Sequence, residues 1–388
     1  MRNFRNSLLS LALVQLIFLF GFVFLLSGCA KHYSDPVFSP EHVSFEGIHP
    51  ADNGNNISLI VIHGMCDHGT DWVTDISISF ADSLGMEIES SELFFGNGYT
   101  DVSTYKTILL NKGSRVSLYS ILYSPVTRKV KHDNLCKDVS EDTEICPLVG
   151  EQKPLYRWER AGVNGLFKNY IMNDCLADAI IYLGETGETI RDGVRNALIA
   201  VHDDRSSNSL LESPLFLISQ SLGSKILRDS LLSLKDNLNL VSSLTDLKQV
   251  FLIANQIPLL NLGDNQGSGD DRQIGDIFDL LISIKGEQNK DLDSIQMNTK
   301  IVSFTDPNDI LSYTLNSEDY GKNQVGDQNI IRFDIVNVII SNGPTYFGKY
   351  ENPLPAHLGY LENKKVINLI ICGSGDSRSE NCGKKSKH

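Results

Sequence analysis

One serine lies at the junction between an apolar run and a helical pattern, where a serine hydroxyl can act as a nucleophile. Residues 214–227 read Pro-Leu-Phe-Leu-Ile-Ser-Gln-Ser-Leu-Gly-Ser-Lys-Ile-Leu, and Ser221 occupies the junction. A nucleophile on a strained strand-to-helix turn needs small residues two positions before and after it. Gly223 meets this requirement, and Ser219 stands where a glycine is usual. The pattern predicts a nucleophile at Ser221, and an ordinary serine-rich loop is the alternative.

Two later loops supply candidates for the general base and for the acid that orients it. Residues 306–311, Asp-Pro-Asn-Asp-Ile-Leu, follow an apolar run. Asp309 precedes two apolar residues and is the favoured acid, whereas Asp306 precedes a proline and could instead cap the turn. His357 lies in a loop near the C-terminal end. There it could take a proton from Ser221 and return it to a leaving group.

The order of these residues resembles that of the α/β-hydrolase superfamily, in its lipase- and esterase-like region. The order Ser, then Asp, then His is the one these enzymes use, and the resemblance covers residues 56–372. It implies that His63 and Gly64, directly after an early apolar run, form the oxyanion turn. The implied oxyanion donors are the amides of Met65 and Leu222, each typically worth about 3 kcal/mol in the transition state.

Rigid elements must position these residues. Short apolar runs rich in β-branched residues indicate strands buried on both faces of a parallel sheet. They occupy residues 58–62, 116–123, 214–218, 249–254, 300–304 and 336–340. Stretches at 72–84, 176–201, 222–235 and 275–285 have helical patterns. The alternation predicts an α/β class: an α/β-hydrolase fold with a mostly parallel sheet, helices on both faces, and a cap or lid inserted at 125–170.

The first 29 residues indicate export and lipid anchoring. Two arginines precede a nearly unbroken apolar run at 8–26, which leads into Ser-Gly-Cys at Cys29. This ending resembles the lipobox of bacterial lipoproteins, which implies cleavage before Cys29 and its acylation. Several acyl chains anchor a protein stably in a membrane. The resemblance thus implies a lipid-anchored protein of the bacterial cell envelope, and Ala30 favours the outer membrane. An uncleaved membrane helix is the alternative, because the run is long enough to span a bilayer.

The sequence predicts four segments along the chain, and its net charge argues against nucleic acid as a partner. We predict a signal peptide at 1–28, a tether at 29–55, a hydrolase domain at 56–372 and a C-terminal tail at 373–388. The 388 residues carry a formal net charge of -14, with acidic residues spread along the chain. Nucleic acid is therefore not an expected partner, because phosphate binding needs a basic surface.

Six cysteines remain besides Cys29, and an even number in an exported chain suits disulfides. Cys136 with Cys146 and Cys372 with Cys382 are the natural local pairs. Two more, Cys66 and Cys175, form either a third bridge or two buried thiols. None has the spacing of a metal site, so no zinc is expected.

Together these features predict a membrane-anchored serine hydrolase that acts on carboxylic esters and needs no cofactor. Its expected partners are an ester or lipid substrate and the membrane that holds its anchor. A non-catalytic binding or scaffold lipoprotein with the same fold is one alternative, since fold does not imply function. An acyltransferase or thioesterase with the same triad is another.

Overall fold

The computed structural model describes most of the chain from Ala30 to Gly375. The described residues are 30–32, 35–41, 43–48, 56–111, 113–136, 146, 161–211, 213–233, 247–263, 299–316, 322–325, 329–332, 334–346 and 349–375. The predicted signal peptide, Cys29, Cys382, the predicted helix at 275–285 and much of the predicted cap lie outside them. Within the described ranges, no helix is both long and apolar enough to cross a membrane.

Strands and helices alternate through the described residues. The strands are β1 (Ala30–His32), β2 (Val37–Ser39), β3 (Asn56–Ile62), β4 (Glu87–Phe95), β5 (Ser103–Asn111), β6 (Ser114–Leu122), β7 (Leu215–Gln220), β8 (Leu247–Ile253), β9 (Lys300–Thr305), β10 (Lys322–Val325), β11 (Asn329–Arg332), β12 (Asp334–Ile339) and β13 (Pro344–Tyr346). The α-helices are α1 (Thr70–Leu84), α2 (Ser124–Leu135), α3 (Gly162–Leu166), α4 (Ala177–Leu183), α5 (Thr186–Ser207), α6 (Leu222–Leu232), α7 (Ile257–Leu260), α8 (Pro353–Leu358) and α9 (Lys364–Cys372). A π-helical stretch covers Phe167–Leu176, and a 3-10 turn covers Asn261–Gly263.

A nine-stranded sheet in the order β2-β12-β9-β8-β7-β3-β6-β5-β4 forms the centre of the molecule. The strands from β12 to β6 in this order all pair in parallel. They match the six predicted apolar runs, which confirms the α/β class and the mostly parallel sheet. The pairs β2 with β12, β5 with β6 and β4 with β5 are antiparallel, so the sheet is mixed at its two sides, which was not predicted.

Helices cover both faces of the sheet, as predicted. Along β3, Ile60 and Ile62 belong to a core on one face, together with side chains of α5 and α6. Leu59 and Val61 belong to a second core, together with side chains of α1 and α9. Fully burying one such side chain stabilises the fold by about 1.5–3 kcal/mol. Successive side chains of β3 thus pack alternately against the two helical layers. This packing holds in place the strand that leads to the predicted oxyanion turn.

Part of the predicted tether belongs to the fold, and this corrects the prediction for that stretch. The β2 strand pairs with β12 at one side of the sheet, and β1 pairs with β13. Phe45 and Ile48 are fully buried in the core next to α9. The prolines of this stretch suggested a linker, but proline is compatible with edge strands and their connections. The apolar side chains around them hold the segment against the domain.

Candidate active site

Ser221 lies on a sharp turn between β7 and α6. Its backbone has φ 53° and ψ -124°, a left-handed φ that costs a non-glycine residue about 1–3 kcal/mol. The Ser221 N–H donates to the carbonyl of Ile253 at the end of β8, with 2.7 Å between N and O. A Cβ added at Gly223 would lie 2.4 Å from the His63 carbonyl oxygen. The glycine is thus required, and the surrounding strands hold Ser221 in its strained conformation.

Ser219 is accommodated where a glycine was expected. It is still within β7, where it pairs with Ile62 of β3 and with Leu252 of β8. Its side chain is fully buried, and its hydroxyl has no hydrogen-bond partner among the described residues. The position therefore tolerates one small side chain, which explains how the turn forms without the usual glycine.

The structure brings Ser221, His357 and Asp309 into one hydrogen-bonded row. Ser221 Oγ lies 2.9 Å from His357 Nε2. His357 Nδ1 lies 2.8 and 2.9 Å from the two carboxylate oxygens of Asp309. A carboxylate can only accept, so Nδ1 carries the proton and Nε2 is free to accept from the serine hydroxyl. All three side chains are buried, which strengthens these interactions.

Asp306, the alternative acid, braces the turn instead of contacting His357. Its two carboxylate oxygens accept from the backbone N–H groups of Asn308 and Asn342, at 2.9 and 2.7 Å. Burial raises its pKa to about 6, against the opposing effect of these two bonds. The carboxyl group thus fixes the loop that presents Asp309.

Tyr360 is a further residue at this site that was not predicted. Its hydroxyl donates to Asp309 Oδ2 at 3.1 Å and accepts from the Asp306 N–H at 2.6 Å. Burial raises its pKa well above the usual range, so the phenol stays protonated and serves as a donor. Tyr360 therefore helps to orient the carboxylate of Asp309 that contacts His357.

The predicted oxyanion turn packs directly against the serine. A Cβ added at Gly64 would lie 2.8 Å from Ser221 Cβ. The carbonyl of Gly64 accepts two hydrogen bonds, from His63 Nδ1 at 2.7 Å and from the Tyr123 hydroxyl. In a trans peptide the N–H points away from the C=O, so fixing this carbonyl also fixes the direction of the Met65 N–H.

His63 is held as a neutral donor. Its Nε2 accepts from the Tyr123 backbone N–H at 3.0 Å, which leaves the proton on Nδ1. The two rings stack with centroids 4.0 Å apart, and burial lowers the pKa of His63 well below its usual value. Tyr123 was not predicted, because it is 59 residues from Gly64 in sequence. The other predicted donor, the Leu222 amide, begins α6 beside Ser221.

A disulfide and two polar bonds tie the oxyanion turn to the π-helical stretch and to α2. Cys66 is bonded to Cys175, one of the two outcomes left open by the sequence. The Asp67 N–H donates to Asp174 Oδ1 at 2.8 Å, and the Asp67 carboxylate accepts from Arg128 Nε at 2.8 Å. These bonds fix the residues that directly follow Met65.

The described cysteines are engaged in disulfides rather than in metal binding. The predicted pair Cys136–Cys146 is confirmed. In the described ranges, one group of side chains has donor atoms close enough for a metal ion: Cys66, Asp174 and Cys175. Its two sulfur atoms are bonded to each other, so they cannot act as thiolate ligands.

Comparisons with protein-family models, with curated proteins and with solved structures find no match to this chain. The functional assignment therefore depends on the geometry of the site and on the sequence patterns that predicted it.

Proposed function

We propose that this chain is a serine hydrolase of the α/β-hydrolase superfamily that cleaves carboxylic esters. One observation carries the proposal: the row Ser221–His357–Asp309, in which a strained serine is hydrogen-bonded to a histidine whose other ring nitrogen contacts a carboxylate. Such strain persists only where the surrounding structure enforces it, and it concentrates at active sites. A binding or scaffold protein would have no use for it.

The proposed reaction is acyl transfer to water. His357 Nε2 takes the proton of Ser221 Oγ as that oxygen attacks the ester carbonyl carbon, and the carbonyl electron pair moves onto its oxygen. The amides of Met65 and Leu222 stabilise this oxyanion. His357 then gives its proton to the departing alkoxide. In the second half, His357 takes a proton from water, which attacks the acyl group, and returns a proton to Ser221.

The proposal includes a location in a bacterial cell envelope, with an anchor at Cys29. The N-terminal pattern is its main support. The disulfides Cys66–Cys175 and Cys136–Cys146 add to it, because such bonds persist in oxidising compartments outside the cytosol. An ester-containing lipid is the substrate class that fits this location.

A fluorophosphonate probe tests the nucleophile directly. The chain from Ala30 onward contains every described residue, and we expect the probe to label it at Ser221, as mapped by mass spectrometry. The Ser221→Ala variant should not be labelled. The matched control Ser219→Ala removes a buried hydroxyl two residues away, and it should be labelled like the wild type. Failure to label the folded wild-type chain would contradict the proposal and favour a scaffold.

Tyr123→Phe should lower kcat for p-nitrophenyl butyrate by about tenfold, with little change in KM. Complete loss of one oxyanion donor typically lowers kcat by 10²–10³-fold. Tyr123→Phe has a smaller effect, because it only loosens the Gly64–Met65 peptide that bears the Met65 N–H. The ring stacked on His63 remains. The control is Tyr119→Phe. It removes a hydroxyl of β6, the strand that directly precedes Tyr123, and this hydroxyl donates to Asp204 at 2.6 Å. An equal loss of kcat in both variants would mean that β6 is simply destabilised.

A further inference from the structure

We propose that the edge of the sheet around the triad docks on a lipid bilayer. The carboxyl-edge face is defined here as the loops and short helices at the carboxyl ends of the parallel strands, with the β4–β5 turn and residues 161–176. The proposal extends the proposed function by naming where its substrate comes from. Its test measures binding alone, so it can succeed or fail independently of ester hydrolysis.

Exposed apolar side chains stand on the loops of this face. Tyr99, in the β4–β5 turn, is 84% exposed. The turn lies at the carboxyl edge because Ser103, which begins β5, pairs with Leu122 at the end of β6. Ile310, directly after Asp309, is 70% exposed. The sequence thus places large apolar groups in water on both sides of the triad, where a soluble enzyme gains nothing from them.

Exposed apolar side chains also lie on and beside the helix that carries His357. Leu354 and Leu358 of α8 are exposed, although His357 between them is buried. Tyr350, just before α8, is 60% exposed. The following residue, Glu351, accepts from the Asn308 side chain at 2.6 Å, so this segment adjoins the loop of the triad acid.

Residues 161–176 extend the apolar surface beyond the loops. Val163, Phe167 and Tyr170 are all exposed, Val163 to 79%. The disulfide Cys66–Cys175 joins this stretch to the oxyanion turn, which places it at the carboxyl edge. Single exposed apolar residues need no explanation, but a concentration of them on one face marks an interaction surface.

The opposite edge of the sheet has a different character among the described residues. There Glu87, Lys248 and Asp334 are exposed at the beginnings of their strands. Ile88 is the large apolar side chain that stands exposed near them. Large exposed apolar side chains therefore concentrate at the active-site edge, which also carries exposed charges such as Asp101 and Lys349. A protein seated on a membrane by that edge would have this distribution.

The start of the described chain lies at the same face, and this favours a bilayer over a protein partner. Ala30 of β1 pairs with Tyr346 of β13. The backbone of Tyr346 exchanges hydrogen bonds with Tyr350, at 2.7 and 3.3 Å. The described chain therefore begins close to Tyr350, and Cys29, the proposed acylation site, directly precedes it in the sequence. Exposed tyrosines suit the interfacial region of a membrane, where one end of the ring is apolar and the other is wet.

Vesicle binding tests the proposal on the chain from Ala30 onward, which lacks the acyl anchor but includes all described residues. Phosphatidylcholine vesicles are floated with wild type and with the triple variant Tyr99→Ser, Phe167→Ser and Tyr350→Ser. We expect the triple variant to partition at least about tenfold more weakly, because interfacial binding scales with the apolar area inserted. The double control Ile78→Ser and Ile88→Ser removes exposed apolar groups elsewhere, and its partitioning should change less than about twofold.

A second measurement guards against misfolding of the triple variant. Tyr99→Trp should gain fluorescence quenching by brominated lipids over the wild-type background, and Ile88→Trp should not. The Ser221→Ala variant should bind vesicles like wild type, whatever its activity. Three results would overturn the proposal: no binding by wild type, equal binding by the triple variant, or a wild-type dimer that the triple variant dissociates, which would mean that a second copy covers this face.

Discussion

Replacing Asp309 with Asn should lower kcat for p-nitrophenyl butyrate by about 10⁴-fold with KM nearly unchanged. The carboxylate accepts a hydrogen bond from His357 Nδ1, with 2.8 Å between the nitrogen and Oδ1. An amide at this position can donate to Nδ1, which favours the imidazole tautomer with its proton on Nε2. That tautomer cannot accept the proton of Ser221. The variant also loses the negative charge that stabilises the imidazolium during the reaction.

Asp306→Asn is the matched control, because it makes the same chemical change three residues earlier. Asp306 contacts backbone N–H groups and not His357, so its effect on kcat should stay within about tenfold. Fluorophosphonate labelling rates would give the same ranking without a natural substrate. A collapse of kcat in the Asp306 variant, together with an active Asp309 variant, would show that the acid is wrongly assigned.

The parallel strands could be predicted because each is buried on both faces and reads as a continuous apolar run. β4 could not, because its residues from Glu87 to Leu93 are exposed and show no apolar pattern. The strand is held by pairing with β5, an interaction that leaves no mark in the local sequence. The short segments at β2 and Phe45 were missed for a related reason: two or three apolar residues between prolines are too few to separate an edge strand from a linker.

Ser221 and Asp309 could be predicted because each comes soon after a buried strand. His357, expected in a loop, lies in the short helix α8 and was predicted from its place in the order Ser, Asp, His. The groups that support them could not. Tyr123 and Tyr360 act on the site through hydroxyl contacts that span 59 and 51 residues of sequence, and neither is part of a motif. The choice between Asp306 and Asp309 likewise needed the distance to His357. Sequence patterns therefore locate reacting groups better than the side chains that orient them.

Removing the Cys66–Cys175 disulfide should lower the free energy of unfolding more than removing the disulfide Cys136–Cys146, which joins residues close in sequence. The Cys66–Cys175 bond closes 109 residues of sequence. In the chain-entropy model a loop of this length contributes about 5 kcal/mol by restricting the unfolded chain. Urea unfolding of Cys175→Ser, followed by tryptophan fluorescence without reductant, measures the loss.

The disulfide Cys136–Cys146 provides the matched control, because it closes only 10 residues. The same model gives roughly 3 kcal/mol for that loop, so Cys146→Ser should lose about 2 kcal/mol less stability than Cys175→Ser. Equal losses in the two variants would contradict the entropic account and point to native contacts instead.

Activity should separate the two variants further. Cys66 directly follows Met65, whose N–H is one of the proposed oxyanion donors. The bond to Cys175 therefore holds the residue next to this donor in place. Measured well below the unfolding transition, Cys175→Ser should lower kcat by about tenfold, a fraction of what full loss of an oxyanion donor costs. Cys146→Ser should leave kcat unchanged, because Cys146 is bonded to Cys136 at the end of α2 and not to the oxyanion turn. An unchanged kcat in Cys175→Ser would mean that His63 and Tyr123 alone suffice to hold the Gly64–Met65 peptide.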